Sequence, residues 1–288
     1  MRSAFVVFAF CFVVAIPVAA QDLSIFDKKI PSSEVKTELY VMDVDKGVGE
    51  ERKVGEDARR YGVDGELAGK TFTNSGFTIE TEFTTEFDKD GRVAKRTSKD
   101  TYKIGNGEPM TGPARSWEYS YNESGTTVVS KEPQAEGDES APIVETWKLD
   151  ASGKMLEYSK MFGEQSLKTA YERDKSGKLL SKTVMYCGEV TSKETCSYRE
   201  DGTLKESSEG DPQKSWTINR HYDERGQEVK GEMLLGKDGK VERQWVVERK
   251  LENHADGSTE EMKIAVHGAT ADKLEGVIRY VITTTFKK

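Results

Sequence analysis

A short glycine-centred pattern that recurs along most of the chain constrains what it can fold into. An apolar or aromatic residue is followed by three polar ones, a glycine, a free position and usually a second apolar residue. It reads FDKDGRV at Phe87–Val93, YNESGTT at Tyr121–Thr127, LDASGKM at Leu149–Met155 and RDKSGKL at Arg173–Leu179. It continues as YREDGTL at Tyr198–Leu204, YDERGQE at Tyr222–Glu228 and LGKDGKV at Leu235–Val241, with a weaker copy, NHADGST, at Asn253–Thr259. The glycines are Gly91, Gly125, Gly153, Gly177, Gly202, Gly226, Gly239 and Gly257, and the intervals from Gly153 through Gly226 are 24, 25 and 24 residues.

Each copy has the chemistry of a hairpin turn. Asp, Asn or Ser starts a tight turn by bonding its own backbone, and glycine accepts the positive φ that the turn and its following bulge demand. Between turns the residues alternate, as a half-buried strand requires. Phe77, Ile79, Phe83 and Phe87 share one parity, as do Trp117, Tyr119 and Tyr121. The same holds for Trp216, Ile218 and Tyr222, for Trp245, Val247 and Leu251, and for Ile278, Tyr280, Ile282 and Phe286. A 24-residue unit is then two strands and two turns, because strands run about 5–10 residues and hairpin loops about 2–5. The predicted fold is all-β: an extended antiparallel meander of hairpin repeats. Its amphipathic sheet must curl on itself, fold over into two layers or dock on something to hide its apolar face.

Three regions are expected. Met1–Ala20 has one positive charge at Arg2, an apolar run and small residues before Gln21, the pattern of a cleaved secretory signal peptide. Residues 21–70 form an N-terminal segment, partly irregular, with one strand at Thr37–Val44 and a charged stretch, Lys46–Arg60, that reads as a short helix or loop. Residues 71–288 form a single β-repeat domain, interrupted by an acidic loop at Lys131–Ala141. The formal charge of −8 becomes −9 without Arg2. An acidic exported chain disfavours nucleic acid, which rewards a basic face. No other segment is apolar enough to span a bilayer as a helix. The mature chain is therefore expected in the periplasm or outside the cell, and not as an integral membrane protein.

Removal of the leader takes Cys11 with it and leaves Cys187 and Cys196 in YCGEVTSKETCSY. Two cysteines at this spacing can face each other across one hairpin, and export would let them pair as a disulfide. His221, His254 and His267 are not at zinc-ligand spacing, and no nucleophile elbow, HExxH, phosphate loop or dinucleotide fingerprint is present. No catalytic, metal or cofactor-binding residue is therefore assigned. Trp117, Trp147, Trp216 and Trp245 are the candidate ligand-facing aromatics, because aromatic faces bind by burial and stacking. The competing account of these four is that they form core.

At YDERGQEV, Tyr222–Val229, and YREDGTL, Tyr198–Leu204, the repeat resembles the tyrosine–aspartate repeat of the bacterial RHS family of exported proteins. That family builds spiralling β-sheets that enclose a cargo or display a toxin, and some members are linked to carbohydrate binding. The resemblance implies a sheet architecture and an exported habitat. No catalytic residue carries over. The expected function is thus a non-enzymatic binding or scaffold module of the bacterial envelope, whose partner is a protein, glycan or lipid. Two alternatives are a periplasmic carrier that shields an apolar ligand such as lipid on a curved aromatic face, and a polysaccharide-interacting surface protein.

Overall fold

The computed structural model describes residues 33–43, 51–63, 65–74, 76–131, 141–213, 215–236, 238–270, 272 and 274–286. The leader Met1–Ala20 and the interior of the acidic loop lie outside the described residues. Nineteen strands are present among the described residues. The first nine are β1 (Ser33–Asp43), β2 (Arg52–Tyr61), β3 (Leu67–Asn74), β4 (Phe77–Phe87), β5 (Val93–Ile104), β6 (Met110–Thr111), β7 (Arg115–Tyr121), β8 (Thr127–Lys131) and β9 (Val144–Leu149). They are followed by β10 (Met155–Phe162), β11 (Gln165–Arg173), β12 (Leu179–Tyr186), β13 (Glu189–Tyr198) and β14 (Leu204–Gly210). The last five are β15 (Trp216–Tyr222), β16 (Glu228–Leu235), β17 (Lys240–His254), β18 (Gly257–His267) and β19 (Leu274–Phe286).

Consecutive strands pair antiparallel, with the short β6 set aside on β5 while β5 itself goes on to pair with β7. β1 bonds both β2 and β19, so the meander closes into an 18-stranded barrel. Of the ways to hide an apolar face, the sheet curls fully instead of folding over. Residues 46–50 of the charged stretch Lys46–Arg60 lie outside the described residues, and its Arg52–Arg60 belongs to strand β2 instead of a helix or loop. Its Glu56 and Lys53 face β1, where Lys36 and Lys53 bind Glu38 and Glu56, so alternating charge pairs along the strands replace helical amphipathicity.

One parity is continuous around the ring. Its cross-strand partners run Leu39 to Tyr280, Ile278 to Ile264, Ile264 to Val247, Gly231 to Arg220, Ser207 to Cys196, Tyr158 to Trp147, Trp147 to Val128 and Val128 to Tyr121. Arg96 to Trp117, Ile79 to Tyr102, Phe72 to Asp57 and Asp57 to Thr37 complete it. Most buried strand residues belong to this parity, Val128, Trp147, Ile218, Val247, Ile264 and Tyr280 among them. Side chains on the concave side of a closed sheet converge and those on the convex side splay apart, so the crowded parity is the inner wall. The outer parity carries Lys, Glu, Thr and Ser. Glu82 and Glu86 of β4, for example, stand opposite Lys99 and Lys95 of β5.

The glycine turns gather at one rim. Turns 88–92, 122–126, 150–154, 174–178, 199–203 and 223–227 join successive strand pairs there, and in each the glycine N–H donates to the carbonyl three residues earlier. In 88–92, 150–154, 174–178 and 223–227 the first Asp also accepts two backbone N–H bonds at 2.8–2.9 Å. A further copy is Tyr61–Leu67, YGVDGEL, in which Gly65 has φ 80° and its N–H reaches the Gly62 carbonyl. Two of the eight sequence-assigned glycines behave differently. Gly239 turns at the opposite rim, between β16 and β17. Gly257 opens β18 without a left-handed φ and is glycine because a Cβ would collide with the Thr284 carbonyl.

The rim is stitched between neighbouring hairpins. Tyr121 Oη donates to the Val93 carbonyl and Tyr198 Oη to the Leu179 carbonyl, each at 2.8 Å. In the copy that has arginine instead, Arg173 Nε donates to the Met155 carbonyl at 3.2 Å. In these three copies the pattern's first residue thus satisfies a backbone acceptor of the previous hairpin.

Gly226 has φ 74° and open space where a Cβ would stand, so Gly226→Ala isolates backbone strain. It should cost about 1–2 kcal/mol in urea unfolding. Gly76→Ala, with open space and no positive φ, should change stability by less than about 0.5 kcal/mol.

The turn carboxylates also make stability pH-dependent. Asp174 is held below the usual carboxylate range by the Ser176 hydroxyl and then by the Lys178 amide. A carboxyl depressed on folding stabilises the fold above its unfolded pKa, and that contribution is lost as pH falls through the folded value. In a turn one residue longer, Asn122 Oδ1 accepts from the Thr127 N–H at 2.9 Å and so holds its turn without a titratable group. Asp174→Asn should therefore keep the turn at neutral pH and make the acid limb of a stability–pH curve shallower; an unchanged acid limb would remove the carboxylate from this role.

Candidate functional site

The inner wall is where the structure gathers chemically distinctive side chains. Two apolar arcs stand on it. One is mainly aliphatic: Leu39, Val247, Ile264, Ile278 and Tyr280, with Val54, Trp245, Met262 and Val266 packed against them, on β17, β18, β19, β1 and β2. The other is mainly aromatic: Val128, Trp147 and Met155, with Tyr119, Tyr121, Leu149, Tyr158 and Tyr171, on β7 to β11. In the order of the ring these arcs face each other. Each is assembled from adjacent strands, because side chains of one parity on neighbouring strands stand within contact of each other.

All four tryptophans lie on the inner parity. Trp147 is the centre of the aromatic arc, 6.4 Å from the Tyr119 ring and 5.8 Å from the Tyr158 ring. Trp245 lies across Gly231, where a Cβ would strike its indole, and its Nε1 donates to Glu228 at 2.7 Å. Trp117 stands opposite Arg96, and Trp216 opens β15 opposite Leu235. They are spread around the ring, so they do not form one flat platform.

Between the arcs the wall is charged. Arg96 binds Glu66 at 3.1 Å with both side chains buried, and its guanidinium lies 5.4 Å from the centre of the Phe83 ring. Arg220 lies 3.4 Å from Glu209 and 3.9 Å from Glu194, and a further inner-wall pair, Lys160 with Glu145 at 2.6 Å, stands on β10 and β9 within the strands of the aromatic arc. Removing one partner of such a pair would strand the other charge without its compensation. The phenols of Tyr171 and Tyr222 are raised by burial. Among the described residues no group of three or more His, Cys, Asp and Glu is placed to hold a metal ion.

The cysteines do not pair. Cys187 and Gly188 form the tip of the β12–β13 hairpin, with Cys187 at φ 49°. Cys196 lies near the far end of β13, opposite Ser207 of the next strand. The hairpin turns at the first cysteine instead of midway between the two, so both thiols are free. Sequence reasoning also missed the Tyr61–Leu67 turn and with it Glu66. The available signal was the repeat's glycine spacing from Tyr61, which Gly62 at the usual acid position obscured.

No protein-family model matches the chain, and no curated protein does. The likeness to the tyrosine–aspartate repeat therefore rests on the residues alone. Among solved structures, a porin-like protein from Bacteroides uniformis ATCC 8492 is 11% identical over 88% of this chain and 96% of that one, at a TM-score of 0.45. A TcdB2–TccC3–Cdc42 structure is 9% identical over 81% of this chain and 16% of that chain, at 0.27. A DUF3598-family protein of unknown function from Nostoc punctiforme PCC 73102 is 7% identical over 93% of this chain and 99% of that chain, at 0.17. At these TM-scores nothing about function follows from the likeness.

Thiol reactivity checks the cysteine placement. Cys187 is exposed, whereas Cys196 is half-buried and its thiol is pushed up to about 11 by burial and then by Glu194. Because the thiolate is the reactive form, Cys187 should label with a maleimide at least tenfold faster than Cys196 in the folded protein. Denatured, unreduced protein lacking residues 1–20, and with them Cys11, should show two thiols. A single reactive thiol, or none, would contradict the geometry.

Proposed function

We propose that the chain is an exported, non-enzymatic binding barrel of the bacterial envelope that holds an apolar or amphipathic ligand against its inner wall. The carrying observation is closure through β1 and β19, which turns the aromatic parity of every strand into one enclosed surface. Closure also leaves the sheet without free edges, so binding by strand addition is not open to it. An extended-sheet scaffold loses its main mode of attachment. A glycan platform on the outer surface loses its tryptophans, which point inward.

A membrane-spanning barrel would need an apolar band about 25 Å tall on its outer face, flanked by aromatic girdles. Here that face carries charge networks such as Lys148 and Lys168 on Glu157, at 2.9 and 2.6 Å, and Arg279 on Glu51 and Glu261. This favours a barrel surrounded by water. The inner-wall ions are bound to one another, which suits a surface that holds a ligand without transforming it.

The test is native mass spectrometry of the protein purified from its own host without detergent, with titration by a fluorescent fatty-acyl probe. A co-purified lipid-sized mass and saturable probe binding competed by host lipid extract are expected. A clean apo mass without saturable binding would overturn the reading, as would exclusive recovery in detergent-extracted membranes.

A further inference from the structure

Arg59 of β2 and Lys70 of β3 stand directly opposite each other on the inner parity. Like charges at opposed positions of an antiparallel pair repel, so such a pair needs anions beside it. One carboxylate, Asp57, serves both. Its Oδ1 accepts from Arg59 Nε at 2.8 Å, whereas its Oδ2 lies 3.6 Å from Lys70 Nζ, too far for a hydrogen bond. Among the described residues, Arg59 Nη1, Arg59 Nη2 and Lys70 Nζ have no hydrogen-bond acceptor. Elsewhere on the wall, Arg96, Lys160 and Arg249 each have a carboxylate to themselves, and Arg220 has two.

The other acids of this part of the wall are held by other groups. Asp100 of β5, two strands beyond Lys70 and so about 10 Å away, accepts from the Thr81 and Tyr102 hydroxyls at 2.7 and 3.1 Å. Glu66 binds Arg96, and Glu260 of β18 binds Arg249. Arg59, Lys70 and Asp57 therefore leave one surplus positive charge and three donor nitrogens on a half-buried stretch of wall, in a chain whose formal charge is −8. Apolar surface begins beside it. Val35 of β1 faces Arg59, and from there the inner parity runs through Thr37 opposite Ile282 to Leu39 opposite Tyr280. Leu39 belongs to the aliphatic arc and stands about 14 Å along the strand from Val35.

We propose that Arg59 and Lys70 form the head-group site for an amphipathic ligand bearing a single carboxylate, of the long-chain fatty-acid class, whose tail lies along the aliphatic arc. This rests on the inner-wall binding reading above and names the ligand class for it. A carboxylate can accept from an Arg59 Nη with one oxygen and from Lys70 Nζ with the other, bridging the two cations that Asp57 joins imperfectly. Its one negative charge cancels the surplus. A phosphate monoester would bring a second charge without a partner, and a cationic head would add to the repulsion.

The test measures calorimetric titrations of the mature protein, stripped of co-purified lipid, with dodecanoate, dodecanol and dodecyl phosphate below their micellar concentrations. Dodecanoate should bind about tenfold tighter than dodecanol, the scale of hydrogen bonds to charged groups. Lys70→Gln leaves the Arg59–Asp57 bond in place and should erase that preference while dodecanol affinity stays the same. Arg59→Gln serves as a second variant should the first disturb folding, which circular dichroism monitors. Equal affinities for dodecanoate and dodecanol overturn the head-group site but leave the inner-wall binding reading standing; binding of neither overturns both. A carboxylate preference that survives both substitutions overturns the site, because the head group is then held elsewhere. Dodecyl phosphate binding tighter than dodecanoate overturns the assignment to a single carboxylate.

Discussion

Every property of the inner wall depends on the pairing of the first and last strands. β1 meets β19 in unbroken register from Ser33–Phe286 to Asp43–Gly276, and that one ladder converts a meander with two free edges into a ring with none. The register also fixes which parity is enclosed. A slip of one residue would bring the inner parity of β1 beside the outer parity of β19 and break the aliphatic arc that crosses the seam, where Leu39 stands opposite Tyr280. Antiparallel closure of this kind brings together residues about 240 positions apart, which is entropically the most demanding contact the chain makes.

The glycine turns make that closure attainable. Each is a local structure whose acid, glycine and bulge set the register of one hairpin, so most of the ladder is specified by contacts between neighbours in sequence. In three copies the residue that opens the pattern also ties one hairpin to the one before it. Tyrosine does this through its hydroxyl at Tyr121 and Tyr198, and Arg173 does it through its guanidinium. That chemical equivalence, a long side chain with a donor at its tip, explains why the first position of the pattern tolerates both residues.

Much of this was legible in the sequence because strand parity and turn chemistry are local. The alternation at Trp216, Ile218 and Tyr222 already placed these side chains on one face. Closure was not legible, since nothing at Thr37–Val44 names Leu274–Phe286 as its partner. The charged stretch before Arg60 misled for a different reason: its charges satisfy strand-to-strand pairs with Lys36 and Glu38, which a single-strand reading cannot see. Cys187 misled through the assumption that a hairpin turns midway between two cysteines. A Cys-Gly pair can itself adopt the two successive positive-φ positions of a tight two-residue turn. The candidate tryptophans share one parity, but whether that parity faced a core, a lumen or a platform depended on the curvature of the whole sheet.

The mixed character of the wall follows from the size of the ring. A small barrel can fill its interior with aliphatic side chains, and its inner parity then reads as a continuous hydrophobic core. At eighteen strands no layer of side chains reaches the centre, so a uniformly apolar wall would leave a large unfilled apolar surface. This chain instead alternates arcs. The intervening surface carries ion pairs such as Arg96 with Glu66 and Arg220 with Glu209, each charge held by its partner. A hydrophobicity of 35% therefore suffices for a barrel of this circumference because the chain covers only two arcs of its wall with apolar side chains.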